Sequence, residues 1–198
     1  HLGRLALEFV KALGGQSQNP VKVVPIGLEM ALYPQEWMRL KGGAPASGLQ
    51  RDIPEDDAPL LAAARAAVGL TVVLNPAPAR PLDPALLDLG PLLTPNEHEA
   101  ATLTGEREPI AAARALATRT GAPVVVTLGA AGALVAEPDA EPVHVRAPAV
   151  EAVDTTGAGD VFNGALAAAL AGGAPLRDAV EDAVAAASAS VKRPGARG

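Results

Sequence analysis

The chain has 198 residues, of which 49% are hydrophobic and 19% charged, and this balance is typical of one globular domain or most of one. Its formal net charge of −6 argues against a nucleic-acid surface, because such surfaces need clustered lysine and arginine. There is no cysteine and no apolar run near the roughly 20 residues that span a bilayer, which excludes a thiolate zinc site and a membrane helix and makes a cytoplasmic location our expectation.

The N-terminal segment 1–48 carries no phosphate or sugar motif, and we leave it unassigned. Its pattern predicts an amphipathic helix over Gly3–Leu13 and a short strand over Val21–Val24, with loop-like sequence around them. Because the first residue is His1 and not methionine, we expect the chain to be a fragment or a trimmed product.

Helical and strand patterns alternate from about residue 56 onward. The predicted strands are Thr71–Leu74, Pro91–Thr94, Val124–Leu128, Leu134–Ala136 and Val143–Val145, the last two as an antiparallel edge pair. The predicted helices are Ala58–Val68, Asn96–Thr104, Ile110–Thr120, Ala158–Ala171 and Leu176–Val191. Fully apolar strands that alternate with helices predict a mostly parallel sheet covered on both faces.

Residues 154–164 carry the most specific chemical signal in the chain. Asp154 precedes a turn of small residues, Asp160 follows it, and an Ala/Leu-rich helical run comes next. Unpaired N–H groups at such a helix start, together with the helix dipole, predict a site for a phosphate or a developing anion. Asp160 would lie at the opening of this anion site, where a carboxylate can take a proton from an attacking hydroxyl. The structural alternative is a glycine turn that opens a buried helix.

Other phosphate and metal motifs are missing from the sequence. There is no Gly-x-x-x-x-Gly-Lys-Ser/Thr loop, and the turn at Gly157 does not continue as Gly-x-Gly-x-x-Gly. The three histidines, His1, His98 and His144, are scattered along the chain. These patterns therefore support neither a Walker loop, nor a dinucleotide loop, nor a histidine zinc site.

The segment 154–164 resembles the second signature of the ribokinase-like (PfkB) carbohydrate kinases, Asp-Thr-x-Gly-Ala-Gly-Asp-x-Phe. Both carboxylates, both glycines and the phenylalanine fall in register. The resemblance extends over 49–198 and implies an α/β, three-layer αβα sandwich, incomplete at both ends. It implies that Asp160 contacts the substrate and acts as base, while backbone N–H groups stabilise the transferring phosphoryl group. The catalytic residues implied are Gly157, Ala158, Gly159 and Asp160.

The hexapeptide 94–99, Thr-Pro-Asn-Glu-His-Glu, supports two interpretations. In the structural one, Thr94 is an N-cap, Pro95 is the first helical residue and a capping box follows. In the functional one, Asn96 and Glu99 have the Asn-x-x-Glu spacing of the same family, which implies contacts to phosphate and to magnesium-bound water. We expect the functional interpretation, because the glycine turn downstream resembles the same family.

Two further loops follow predicted strands, and ligands of such sheets bind beyond the carboxyl ends of the strands. The loop 75–80 resembles the ribokinases within the family and implies ribose as acceptor. The loop 127–132 resembles the family's nucleotide loop. A rigid connection and a plain β-turn are the structural alternatives. The ATP-contacting residues implied are Asn96, Glu99, Thr127, Leu128, Gly129, Ala130, Ala131 and Gly132.

The segment 190–196 resembles the loop that holds a monovalent cation, K⁺, in these kinases. Oxygen donors suit a hard cation. Val184 stands where the family usually has an asparagine beside adenine, and Asp52 stands for the acid that contacts the sugar. The cation ligands implied are Asp154, Thr156, Ser190, Arg193 and Gly195.

The resemblance implies ATP-dependent phosphorylation of a sugar hydroxyl, from ribose to ribose 5-phosphate, with Mg²⁺ bridging the nucleotide phosphates near Glu99. Three alternatives stay open: a remnant that only binds nucleotide or phosphate, a kinase of fructose phosphate, and a nucleoside kinase. The expected partners are a small sugar, ATP and a second copy in a homodimer, without nucleic acid or membrane.

Overall fold

The computed structural model describes residues 23–27, 71–77 and 79–194, the first of these by backbone alone. The strands are β1 (Val23–Gly27), β2 (Thr71–Asn75), β3 (Leu92–Leu93), β4 (Val124–Thr127), β5 (Gly132–Ala136) and β6 (Val143–Arg146). The helices are α1 (Pro84–Leu87), α2 (Glu97–Thr104), α3 (Pro109–Thr120), α4 (Ala158–Ala171) and α5 (Leu176–Ser190). Four predictions lie outside the described residues: the helices Gly3–Leu13 and Ala58–Val68, and the site residues Asp52 and Gly195.

The described strands form one sheet in the order β1-β2-β3-β4-β5-β6. The first four are parallel neighbours, with Leu74 beside Leu93 and Leu93 beside Val124. β5 and β6 are antiparallel, and Gly132 lies opposite Arg146. This confirms the prediction of a mostly parallel sheet with an antiparallel edge pair.

Helices cover both faces of the sheet. Successive strand residues point to opposite faces, so fully apolar strands give each face a surface to bury. The core on the side of α1, α2 and α3 contains Leu74, Leu93, Val124, Val126, Leu134 and Leu116. The core on the side of α4 and α5 contains Val73, Leu92, Val125, Val145, Phe162, Leu166 and Val180. The predicted three-layer αβα sandwich is confirmed.

The start of α2 differs from the sequence prediction. Thr94 is not the N-cap, because its N–H donates to the carbonyl of Leu74 at 2.9 Å and keeps the chain extended beside β2. The carbonyl of Pro95 accepts from the N–H of Thr127 at 2.9 Å, which holds the next residue to the sheet as well. The helix therefore begins at Glu97, with Asn96 as its cap.

Most other boundaries shift by a residue or two, as is usual at element ends, whereas β1 ends at Gly27, three residues after the predicted Val24. Leu128 leaves β4 for a short 3₁₀ turn over Gly129–Ala131. α1 is not among the predicted helices, although its start carries a known signal: Asp83 accepts from the N–H of Ala85 at 2.8 Å, and proline fills the first helical position. Of the helices that the structure describes, none is long and apolar enough to cross a membrane.

Candidate active site

The carboxyl ends of the parallel strands bring two of the predicted loops together. β3 ends at Leu93 and β4 at Thr127, and a parallel bridge pairs Asn96 with Thr127. The loop after β2 starts at the same edge, because Thr94 bonds to Leu74. Each of the three loops therefore follows a strand, and the loops after β3 and β4 are in direct contact.

Asn96 and Glu99 form a reciprocal capping box. The Asn96 side chain accepts from the N–H of Glu99 at 2.9 Å, and Glu99 Oε2 accepts from the N–H of Asn96 at 2.8 Å. The Glu99 side chain is buried at 8% exposure, whereas Asn96 is exposed. A capping box is therefore present, two residues later than the sequence predicted. A carboxylate has two oxygens, so this bond leaves one Glu99 oxygen for other contacts.

The 3₁₀ turn after β4 is exposed and made of small residues. Its own backbone closes it: the N–H of Ala131 donates to Leu128 at 3.1 Å, and the N–H of Leu128 donates to Gly132 at 2.8 Å. Gly132 has φ 104°, and a Cβ there would overlap the carbonyl oxygen of Val145 and lie 2.7 Å from the nitrogen of Ala147. The close approach of β6 thus requires glycine at this position, independently of any ligand.

The chain returns to this edge through β6 and then builds the turn before α4. Asp154 Oδ1 accepts from the N–H of Thr156 at 2.9 Å, and the N–H of Ala158 donates to Thr155 at 3.2 Å. Gly157 caps α4 in the left-handed region, at φ 77°, which side chains rarely adopt. The acidic residue and the first glycine of the signature therefore shape the turn.

The first turn of α4 offers backbone donors beside a carboxylate. The carbonyl of Gly157 accepts from Val161, so Gly159 and Asp160 precede the first intrahelical donor and have no intrahelical acceptor for their N–H groups. Both residues are exposed. The helix dipole adds partial positive charge at this end. Donors without helical partners, an exposed glycine and an exposed carboxylate fit a phosphate and a reacting hydroxyl.

The end of α5 is tied to the same turn. The N–H groups of Val153 and Asp154 donate to the carbonyl of Val191 at 2.8 and 3.1 Å. This brings Asp154 next to the segment that contains Ser190 and Arg193, as a shared cation site would need. Ser190 Oγ donates to the carbonyl of Ala187 at 2.8 Å. Within the described ranges, no group of three or more histidine or acidic side chains could hold a metal ion.

A cleft that the sequence did not predict lies between β6 and α5. It has a volume of about 430 Å³, and its lining includes Arg146, Pro148, Glu181, Val184 and Ala185. Val184 also belongs to the core beneath the cleft and is 4% exposed. The helical spacing of these α5 residues indicates one helix face, but only the packing of α5 beside β6 turns that face into a cavity wall.

The profile of the pfkB family carbohydrate kinases matches residues 40–198. The chain belongs to this family. It is 41% identical over 150 residues to a ribokinase of Bacillus subtilis, an alignment that covers 76% of this chain and 50% of the relative.

Solved structures agree with this PfkB assignment. A ribokinase from Thermotoga maritima has 37% identity and a TM-score of 0.64, over 70% of this chain and 48% of that one. A ribokinase from Arabidopsis thaliana, complexed with ribose and ATP, has 34% identity and a TM-score of 0.63, over 69% and 46%. This PfkB chain therefore spans about half the length of the ribokinases that it matches.

Proposed function

We propose that this chain is the nucleotide-binding and phosphoryl-transferring part of an ATP-dependent sugar kinase, with ribose as acceptor and ribose 5-phosphate as product. The observation that carries the proposal is the start of α4. There, the N–H groups of Gly159 and Asp160 have no acceptor within the helix, beside an exposed carboxylate. The similarity to ribokinases supports the choice of reaction and of acceptor.

Asp160 orients the acceptor hydroxyl and accepts its proton. Its place on the third residue of α4 puts the carboxylate beside the backbone donors of the same turn. A hydroxyl bonded to this carboxylate would face a phosphoryl group bonded to those donors, which is the alignment that an in-line transfer needs. We assign it mainly a positioning role, with proton transfer late in the step.

The N–H groups at the start of α4 stabilise the negative charge that develops on the transferring phosphoryl group. The space around Gly159 is open to a phosphate, because a Cβ there would meet no described atom within 4 Å. ATP with Mg²⁺ supplies the phosphoryl group and neutralises its charge. We assign the second carboxylate oxygen of Glu99 and the exposed amide of Asn96 to the magnesium-bound water, in addition to their capping role.

The cleft between β6 and α5 is our candidate for the base of the nucleotide. Val184 and Ala185 give it an apolar wall, and the exposed Pro148 also belongs to its lining. Arg146, Arg177 and Glu181 add charged side chains to that lining. Flat aromatic bases bind well to such apolar walls with a few polar groups at the rim. Val184 replaces the asparagine usual in the family, so we expect the base to be held by packing more than by hydrogen bonds.

Asp52 would contact the sugar, and K⁺ would bind between the turn at Asp154 and the residues after Ser190. We place the protein in the cytoplasm, where ATP is plentiful, and expect a homodimer.

The test is a titration with ATP and Mg²⁺ followed by ADP release with and without ribose. In a chain competent for turnover, such as the fusion described below, Asp160→Asn should leave nucleotide affinity nearly unchanged and lower ribose-dependent ADP release about 10²–10⁴-fold. Asp178→Asn is the matched control, because Asp178 is an exposed acid in the first turn of α5. Equal turnover in both variants would show that Asp160 is not the base.

Because this chain spans about half of its relatives, we expect weak nucleotide binding and slow turnover from the 198 residues alone. Fusion to the N-terminal half of a ribokinase ahead of Leu49 should raise turnover. Nucleotide binding without transfer, even in the fusion, would favour the alternative of a nucleotide-binding remnant. Preference for fructose phosphate or a nucleoside in the fusion would replace ribose as the acceptor.

A further inference from the structure

One side chain ties the exposed 3₁₀ turn after β4 to the neighbouring strand. His144 Nε2 lies 2.8 Å from the carbonyl oxygen of Ala131. Since a carbonyl can only accept, the ring must carry a hydrogen on Nε2. His144 pairs with Leu134 across the sheet and also lines the cleft between β6 and α5.

The other bonds of this turn are backbone bonds. Ala131 and Leu128 close the turn on itself, while the N–H of Ala147 reaches the carbonyl of Ala131 at a longer 3.4 Å. The turn begins at Gly129, whose φ is 54°, and glycine gives the backbone little local restraint. Among the residues that the structure describes, His144 supplies the side-chain hydrogen bond that fixes the turn to the fold.

We infer that His144 is a positioning residue for nucleotide binding, and this inference rests on the proposed function. Its bond fixes the carbonyl of Ala131 and with it the peptide plane that joins Ala131 to Gly132. That plane sets the direction in which the turn presents its backbone to a nucleotide. A loop that is already ordered before the ligand arrives binds more tightly, because less conformational entropy is lost on binding.

Two variants and one control test the inference in the full chain. His144→Ala removes the donor, whereas His144→Gln keeps a side-chain N–H that can reach the same carbonyl. His98→Ala is the control, because His98 is an exposed histidine on α2. The readouts are the affinity for ATP with Mg²⁺, the melting temperature, and hydrogen exchange at the amides of Ala131 and Gly132.

Loss of the hydrogen bond from His144 to the carbonyl of Ala131 should weaken ATP binding by about three- to tenfold in His144→Ala. Exchange at Ala131 and Gly132 should become faster, and His144→Gln should recover most of both effects. His98→Ala should match the parent in every readout. The melting temperature should change little, because His144 is exposed.

The inference is overturned if exchange at the turn is the same in His144→Ala and in the parent. It is also overturned if exchange accelerates but ATP affinity is unchanged, since the bond would then serve the fold alone. A parent chain that binds no ATP would instead refute the proposed function and the nucleotide role of His144 together. In that case the exchange data still decide whether the bond anchors the turn.

Discussion

Gly159 offers a prediction in which stability and ligand binding move in opposite directions. It is the second residue of α4, and a Cβ built there would meet no described atom within 4 Å. The fold therefore gains nothing from glycine at this position. Alanine in a helix is favoured over glycine by about 0.5–1 kcal/mol, so Gly159→Ala should stabilise the protein by up to that amount. The expected rise in melting temperature is about 1–4 °C.

The same methyl group should weaken nucleotide binding, because it stands beside an N–H that we assign to phosphate. A hydrogen bond to a charged group contributes about 1.5–3 kcal/mol, which corresponds to an affinity loss of roughly ten- to a hundredfold. Gly159→Val, with a larger side chain, should abolish the thermal protection by ATP and Mg²⁺. Calorimetric titration and thermal unfolding, with and without nucleotide, measure both quantities.

Gly164 provides the matched control on the same helix. It is exposed, lies in the interior of α4, and a Cβ there would also meet no described atom within 4 Å. Gly164→Ala should stabilise the fold by a similar amount and leave ATP affinity unchanged. If Gly159→Ala behaves like Gly164→Ala in the titration, the N–H of residue 159 does not bind phosphate. If Gly159→Ala destabilises the protein, a side chain at that position does not have open space around it.

Three further predictions test the site and its framework. Asn96→Ser should keep the stability of α2 within a few tenths of a kcal/mol, because serine caps helices about as well as asparagine, whereas Asn96→Ala should cost about 1 kcal/mol in urea unfolding. If the amide also contacts magnesium-bound water, Asn96→Ser should still raise the Mg²⁺ concentration needed for ATP binding, and an unchanged requirement would leave capping as its only role. Gly132→Ala should destabilise the fold by about 1–3 kcal/mol, because its Cβ would overlap the backbone of β6. If the variant unfolds at the same urea concentration as the parent, the register between β5 and β6 is wrong. Asp154→Ala should loosen the turn before α4 by removing the bond to the N–H of Thr156, and hydrogen exchange at that amide should rise while the core strands stay protected.

Much of the fold could be read from hydrophobic periodicity. The apolar strands β2, β4 and β5, and the alanine-rich helices α3 and α4, were predicted with the correct type and within a residue or two, because fully buried strands and helices leave a strong pattern in sequence. The placement of candidate loops after strands followed from the same pattern. α1 was missed because four residues give no periodicity to recognise.

The sequence by itself determined the glycine turn of 154–164, because the conformation of Gly157 and the helix start at Ala158 depend on local chemistry that a short segment carries with it. The start of α2 was decided by tertiary structure. Thr94 and Asn96 are both good caps, and the choice between them depends on Thr94 donating to Leu74, a residue 20 positions earlier in the chain. The bond of His144 to Ala131 and the bonds of Val153 and Asp154 to Val191 are of the same kind. A hydrogen bond between residues far apart in the chain forms only once the strands and helices have packed. No local sequence pattern could therefore predict it.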